Sequence, residues 1–240
     1  MGSGPDAPAP NGPAPARGGD RHPPAEPTLA PNPPPFAPVL SETTAYARYM
    51  TITDRTVTLN GAPVSFDVVS HPRTGGRFVV VFPFHPADPA GGFPVPTVTL
   101  IREFAQGPNA LAWTLPTGGF EPAKHASLVA AGRAELAEEA RLGGGAWESL
   151  LPADHPGLPE VKWCANRFTP LMCVGPAPLA AGTAPARDAE ECITEVARLP
   201  LADFRALLRS RGGQGDVLGP SFTTAWLAME ALRERGVEGV

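Results

Sequence analysis

Between Trp113 and Gly145 the chain reads WTLPTGGFEPAKHASLVAAGRAELAEEARLGGG, and no other stretch restricts the possible folds as tightly. A short apolar strand, Trp113–Leu115, feeds a diglycine bend at Gly118-Gly119. A helix is expected next, from about Ser127 to Leu142, until Gly143-Gly144-Gly145 stops it. Ser127 can cap that helix, because its hydroxyl can accept a bond from a first-turn amide. Glu135, Glu138 and Glu139 stand at i, i+3 and i+4, so they project from one helical surface. On a solvated helix such like-charged pairs cost only about 0.2–0.5 kcal/mol each. Carboxylates converging at about 4 Å in a half-buried cleft repel by roughly 4 kcal/mol per pair at an effective dielectric near 20. A bound cation relieves the second arrangement, and clustered carboxylates are the hard oxygen ligands that Mg²⁺ prefers. Taken alone, the glutamates leave both readings open.

The remaining pattern alternates strands and helices. Thr56–Leu59 and Ser65–Ser70 flank Asn60-Gly61, a dipeptide that favours a tight hairpin. Phe78–Phe84 is a continuous apolar run suited to a buried strand, with Pro83 expected at its end. Thr97–Phe104, Lys162–Ala165, Thr169–Val174 and Glu191–Leu199 are predicted strands. Leu201–Ser210 is predicted to be an amphipathic helix. A last helix is expected over Phe222–Arg235, with Phe222, Ala225, Trp226, Met229 and Leu232 as its core stripe.

Composition sets the outer limits. Thirteen of the 32 prolines fall in the first forty of 240 residues, which hold almost no bulky apolar side chains. Such a segment cannot offset its ordering entropy, so residues 1–40 are expected to form a disordered extension and residues 41–240 one folded domain. No apolar run is long enough to span a bilayer, and no hydrophobic leader opens the chain. Arg17 and Arg21 suit a plastid or mitochondrial transit peptide, whereas Asp6, Asp20, Glu26 and the scarcity of serine argue against one; an intracellular, cytoplasmic protein is expected, with plastid and mitochondrion as the alternatives. A net charge of −5 argues against a nucleic-acid-binding surface. Cys164, Cys173 and Cys192 lack zinc-ligand spacing and are expected to be reduced, with Cys173 in the core.

The segment from Gly118 resembles the Nudix box, G-x5-E-x7-R-E-U-x-E-E-x-G-U, where U is a bulky aliphatic residue. Gly118 matches the opening glycine, and Glu135-Leu136-Ala137-Glu138-Glu139 matches the E-U-x-E-E core. Lys124 stands where the family has its first Glu, Ala134 where it has Arg, and Arg141 where it has the late Gly. Two extra residues fall within Pro122–Ala126, ahead of Ser127, so the register of the glutamates is kept. Arg133 sits one residue early, about 100° around the helix from the missing arginine. This variant resembles the box of plant-type Nudix proteins.

The resemblance implies an α/β fold: a Nudix-type α/β/α sandwich around a mixed sheet. The flanking segments resemble the branch that cleaves ADP-ribose and nucleoside-diphosphate sugars. Arg102 in Leu100–Phe104 matches the first arginine of that branch's pre-box strand, and Ala105 replaces the second. By resemblance, Glu135, Glu138, Glu139 and the Thr117 carbonyl would hold Mg²⁺ or Mn²⁺. Arg102, Gly118 and Gly119 would contact a small-molecule nucleoside-diphosphate substrate. The late catalytic glutamate would be Glu190, with Glu191 as its rival, alongside Glu135 and Glu138. The implied reaction is metal-dependent hydrolysis of a diphosphate linkage, giving a nucleoside monophosphate and a sugar phosphate. Lys124, Ala134 and Ala105 also admit a nucleotide-binding protein without turnover, and dinucleoside polyphosphates are an alternative substrate class. Homodimers are common in the branch, and neither nucleic acid nor membrane is an expected partner.

Overall fold

The computed structural model describes residues 29–187, 191–209 and 216–240. Its strands are β1 (Val39–Ala47), β2 (Thr51–Leu59), β3 (Ala62–Ser70), β4 (Arg77–His85), β5 (Thr97–Ala105), β6 (Ala110–Thr114), β7 (Thr117–Gly119), β8 (Leu142–Gly143), β9 (Ala146–Ser149), β10 (Leu158–Pro159), β11 (Arg167–Val174), β12 (Ala177–Pro178) and β13 (Ile193–Pro200). Among the described residues three α-helices join them: α1 (Leu128–Glu139) between β7 and β8, then α2 (Leu201–Leu208) and α3 (Gly219–Glu234) after β13.

The apolar run at β4 becomes the centre of the molecule because both its faces are covered. β4 pairs in parallel with β11, from Arg77↔Arg167 to Phe84↔Val174. Its other edge is shared between β7, opposite Phe78–Val80, and β5, opposite Phe84 and His85. Pro83 does not end the strand as the sequence suggested. It lies between those two antiparallel partners, where a missing N–H breaks neither pairing. The sheet order is β10-β11-β4-β5-β13, with β6 on β5, β7 on β4 and β9 on β11.

Alternation along β4 divides the core into two layers. Val80, Phe82 and Phe84 pack with Leu201 and Phe204 of α2 and with Ala225, Ala228 and Leu232 of α3. Val81 packs with Leu136 of α1, and Val79 with Leu128 and Ala131. The mixed sheet is therefore sandwiched between α1 on one face and α2 and α3 on the other, as the α/β/α expectation required. Cys173 is buried on the α1 side, where loss of water pushes its thiol up to about 12.

Three expectations need correcting. β1 begins at Val39, and residues 1–28 of the expected extension lie outside the described residues. β1, β2 and β3 form a three-stranded antiparallel sheet, and only the β2–β3 hairpin across Asn60-Gly61 was predicted. Lys162–Ala165 is not a strand: it makes only an isolated bridge to Val69, through bonds from Val69 N–H to Trp163 O and from Ala165 N–H to Val69 O, while Cys164 N–H turns back to Val161 O. On α3 the buried residues are Ser221, Thr224, Ala225, Ala228 and Leu232, whereas Phe222 and Trp226 are 45% and 56% exposed. Small side chains on the inner face let this helix lie close against β4 and β11, and the aromatics are left outside. No helix among the described residues is long and apolar enough to cross a membrane.

Candidate metal and substrate site

The site is built where β7 hands the chain to α1. Ser127 caps the helix as expected, accepting a bond from Ala130 N–H at 3.1 Å. The helix ends at Glu139, three residues short of the prediction, because Arg141 turns into the left-handed region at φ +60°. Arg141 occupies the position at which the family pattern has glycine, the residue that takes this conformation without steric cost. Arg187 reaches back to the helix end and donates from Nη2 to the Glu139 carbonyl at 2.8 Å, answering one of the terminal acceptors a helix leaves open. Arg133 does not brace the loop; its guanidinium lies 5.8 Å above the Trp147 ring.

The two glycines are fixed by contact. Gly118 lies so near the Glu135 carboxylate that a Cβ there would stand 1.9 Å from both Cδ and Oε1. A Cβ on Gly119 would stand 2.4 Å from Cγ2 of the buried Thr74. The bend thus admits glycine alone without a shift of its neighbours. Thr117 N–H donates to Glu139 Oε2 at 2.8 Å, tying the strand before the bend to the last turn of α1.

These constraints bring carboxylates together. Glu135, Glu139 and Glu191 each offer an oxygen within 4.8 Å of the others, the arrangement that a divalent cation needs. Glu139 is only 3% exposed. Its carboxyl is held well above the usual range, first by loss of water and then by the charge of Glu135, with Glu103 and Glu191 adding to it. A carboxylate under that strain is relieved by a positive ion, so the donor set fits a hard cation of the Mg²⁺ type. Glu138 stands on the same helix, half-buried, outside that convergent group. Glu190 lies outside the described residues, and its rival Glu191 is in the cluster.

The cluster opens into a cleft of about 1170 Å³ that Thr117, Glu103, Glu139 and Glu191 line together. Glu103 was missed in the sequence. It sits near the end of β5, and burial raises its carboxyl above the ordinary value. The usable signal was a lone carboxylate closing the apolar run from Val98 to Ile101. Arg102, its neighbour, projects from the other side of β5: its guanidinium lies 5.7 Å from the Trp113 ring centre and 4.0 Å from Glu195 Oε2. Lys124 bonds to Glu121 at 2.8 Å, and Glu121 N–H donates to His125 Nδ1 at 3.1 Å. The extra residues of the loop thus fold on themselves as a compact turn.

At the other side of the cleft the N-terminus of α3 is pinned to the strand that precedes the bend. Ser221 Oγ accepts from Leu115 N–H at 3.0 Å and lies 2.8 Å from Thr114 Oγ1, both contacts buried.

No family model matches the chain, and no curated relative matches it. Solved structures do. The fold is similar to that of a crystal structure described as an ADP compounds hydrolase, with 19% identity and a TM-score of 0.60, covering 86% of this chain and 99% of that one. A second similar structure is the NUDIX domain of Shewanella oneidensis NrtR complexed with ADP ribose, at 17% identity and a TM-score of 0.44, covering 65% of this chain and 87% of that one. The likeness is one of fold. The α/β sandwich around a mixed sheet is shared over nearly the whole of the first neighbour.

Proposed function

We propose that this chain is a Nudix-type hydrolase that cleaves the diphosphate linkage of ADP-ribose or a related nucleoside-diphosphate sugar. The convergence of Glu135, which rests against Gly118, with Glu139 and Glu191, which line a large cleft, carries the reading. The shared fold with an ADP compounds hydrolase supports it.

A divalent ion of the Mg²⁺ or Mn²⁺ kind would supply positive charge to the phosphate oxygens and make water a better nucleophile at neutral pH. Glu135, Glu139 and Glu191 would hold it, with the Thr117 carbonyl in support. Gly118 and Gly119 leave the backbone open to close approach by a phosphate. The Thr117–Glu139 bond fixes one carboxylate oxygen, so the other is free to turn toward the cluster. A carboxylate within hydrogen-bond reach of the attacking water accepts its proton. Glu191 is the described residue best placed for this by its presence in the cluster. Glu138 and Glu190 are the other proposed acceptors. Attack on one phosphorus breaks the bridging P–O bond and releases a nucleoside monophosphate and a sugar phosphate.

The test is a panel of ADP-ribose, UDP- and GDP-sugars and diadenosine polyphosphates, assayed with Mg²⁺ and with EDTA. Metal-dependent release of a nucleoside monophosphate is expected from at least one of the nucleoside-diphosphate sugars. Tight binding without turnover across the panel would replace this reading with that of a nucleotide-binding protein.

A further inference from the structure

The same cleft has a second, basic side that no motif in the sequence marked. Arg48 and Tyr49, from the β1–β2 turn, and Arg73, from the 3-10 turn Pro72–Thr74, line it together with Glu103, Glu139 and Glu191. Arg73 lies with its guanidinium carbon 5.5 Å from the centre of the Tyr49 ring, and His71 meets that ring edge-on at 4.8 Å. Stacking of this kind holds a guanidinium in one plane and leaves its N–H edge available to an anion.

The placement of this corner is tied to that of the carboxylates. Thr74 is buried against Gly119, the residue next to the glycine on which Glu135 rests. The turn is closed by Gly75 N–H to Pro72 O and Gly76 N–H to His71 O, and Asn166 Oδ1 accepts from His71 N–H at 2.9 Å. One diglycine therefore seats the acidic pole on its first residue and the Arg73 turn on its second. The remaining cleft carboxylate, Glu160, is occupied by Asn166 Nδ2 at 3.1 Å and by the Cys164 thiol at 3.3 Å. A divalent cation would offset part of the carboxylate charge at the acidic pole, and Arg48 and Arg73 supply the positive charge on the other side of the cleft.

We infer that Arg48 and Arg73, which line this side of the cleft with Tyr49, bind a phosphate that the substrate carries outside its scissile diphosphate. This rests on the diphosphate-hydrolase reading for the identity of the substrate, but not for the anion site itself. It directs the enzyme toward nucleoside-diphosphate derivatives with an additional phosphoryl group, whether a monoester on a ribose or a longer phosphate chain. Arginine suits that role, because its planar fork can meet two phosphate oxygens at once.

Binding and turnover are measured separately. With Ca²⁺ in place of Mg²⁺, so that a hard cation fills the acidic pole, calorimetry compares ADP-ribose, ADP-ribose 2′-phosphate and diadenosine tetraphosphate on the wild-type protein, Arg48→Ala and Arg73→Ala. At least one of the two phosphate-rich compounds is expected to bind about tenfold more tightly than ADP-ribose. Each arginine substitution is expected to lower that affinity at least about five times more than it lowers affinity for ADP-ribose. Equal losses for all three compounds, or no loss for any, would overturn the inference. Thermal melts of both variants are the check on folding. A wild-type protein that shows the binding preference yet hydrolyses neither these three compounds nor the UDP- and GDP-sugars with Mg²⁺ would sink the hydrolase reading while leaving the anion site standing.

Discussion

At the scale of single residues, position 118 couples backbone geometry to chemistry. Glu135 occupies the volume that any side chain at that position would need, so the carboxylate and the bend are mutually dependent. Gly118→Ala is expected to push Glu135 out of the cluster and to lower metal-dependent turnover by about two orders of magnitude. Turnover within a factor of two of wild type would show that Glu135 can leave without consequence. Arg141 tests the backbone itself. With φ at +60° it sits where a β-branched residue pays most, so Arg141→Val is expected to lose about 1–2 kcal/mol relative to Arg141→Gly in urea unfolding. Equal midpoints for the two variants would mean that the turn relaxes.

At the scale of elements, what could be read in advance depended on whether one pattern dominated. α1 was legible because its cap, its glutamates and the glycines beyond it agree; Ser127→Ala is expected to cost about 1 kcal/mol in the same unfolding experiment, and an unchanged midpoint would deny the cap any role. β4 was legible because burial on both faces writes a continuous apolar run. α3 was misphased because it carries two overlapping stripes at helical spacing, and the one with the larger side chains is the one left outside. β1 was missed because all nine of its residues are exposed, so it has no hydrophobic alternation to display. Within the site, the helix supplied Glu135 and Glu139 from local spacing. Glu103 and Glu191 are brought in by β5 and by the approach to β13, distant in sequence and therefore invisible to any local pattern.

At the scale of the molecule, two poles of the sheet carry buried ionisable groups of opposite tendency. Around the cleft, burial and mutual repulsion raise carboxyl groups that a cation would steady. At the opposite end of β5, His85 is 5% exposed and its Nε2 lies 2.8 Å from Thr99 Oγ1. Burial, reinforced by the nearby Arg198, lowers its pKa to about 4 from an ordinary 6.5. The unfolded chain therefore takes up this proton first, so stability falls as pH drops from 6.5 toward 4 and is unaffected by this group above 6.5. After allowance for solvent screening the loss amounts to about 2 kcal/mol. The difference in melting temperature between wild type and His85→Gln should accordingly change across that window, and a constant offset from pH 7 to pH 4 would refute the assignment.

Three carboxylates sharing one ion are the centre of the proposed chemistry. Mn²⁺ binding followed by electron paramagnetic resonance, on wild type and on Glu135→Gln, Glu139→Gln and Glu191→Gln, addresses it directly. Saturable binding in the wild type, weakened by at least about tenfold in each variant, is the result predicted. Unchanged affinity in all three, or no saturable site in the wild-type protein, would contradict it.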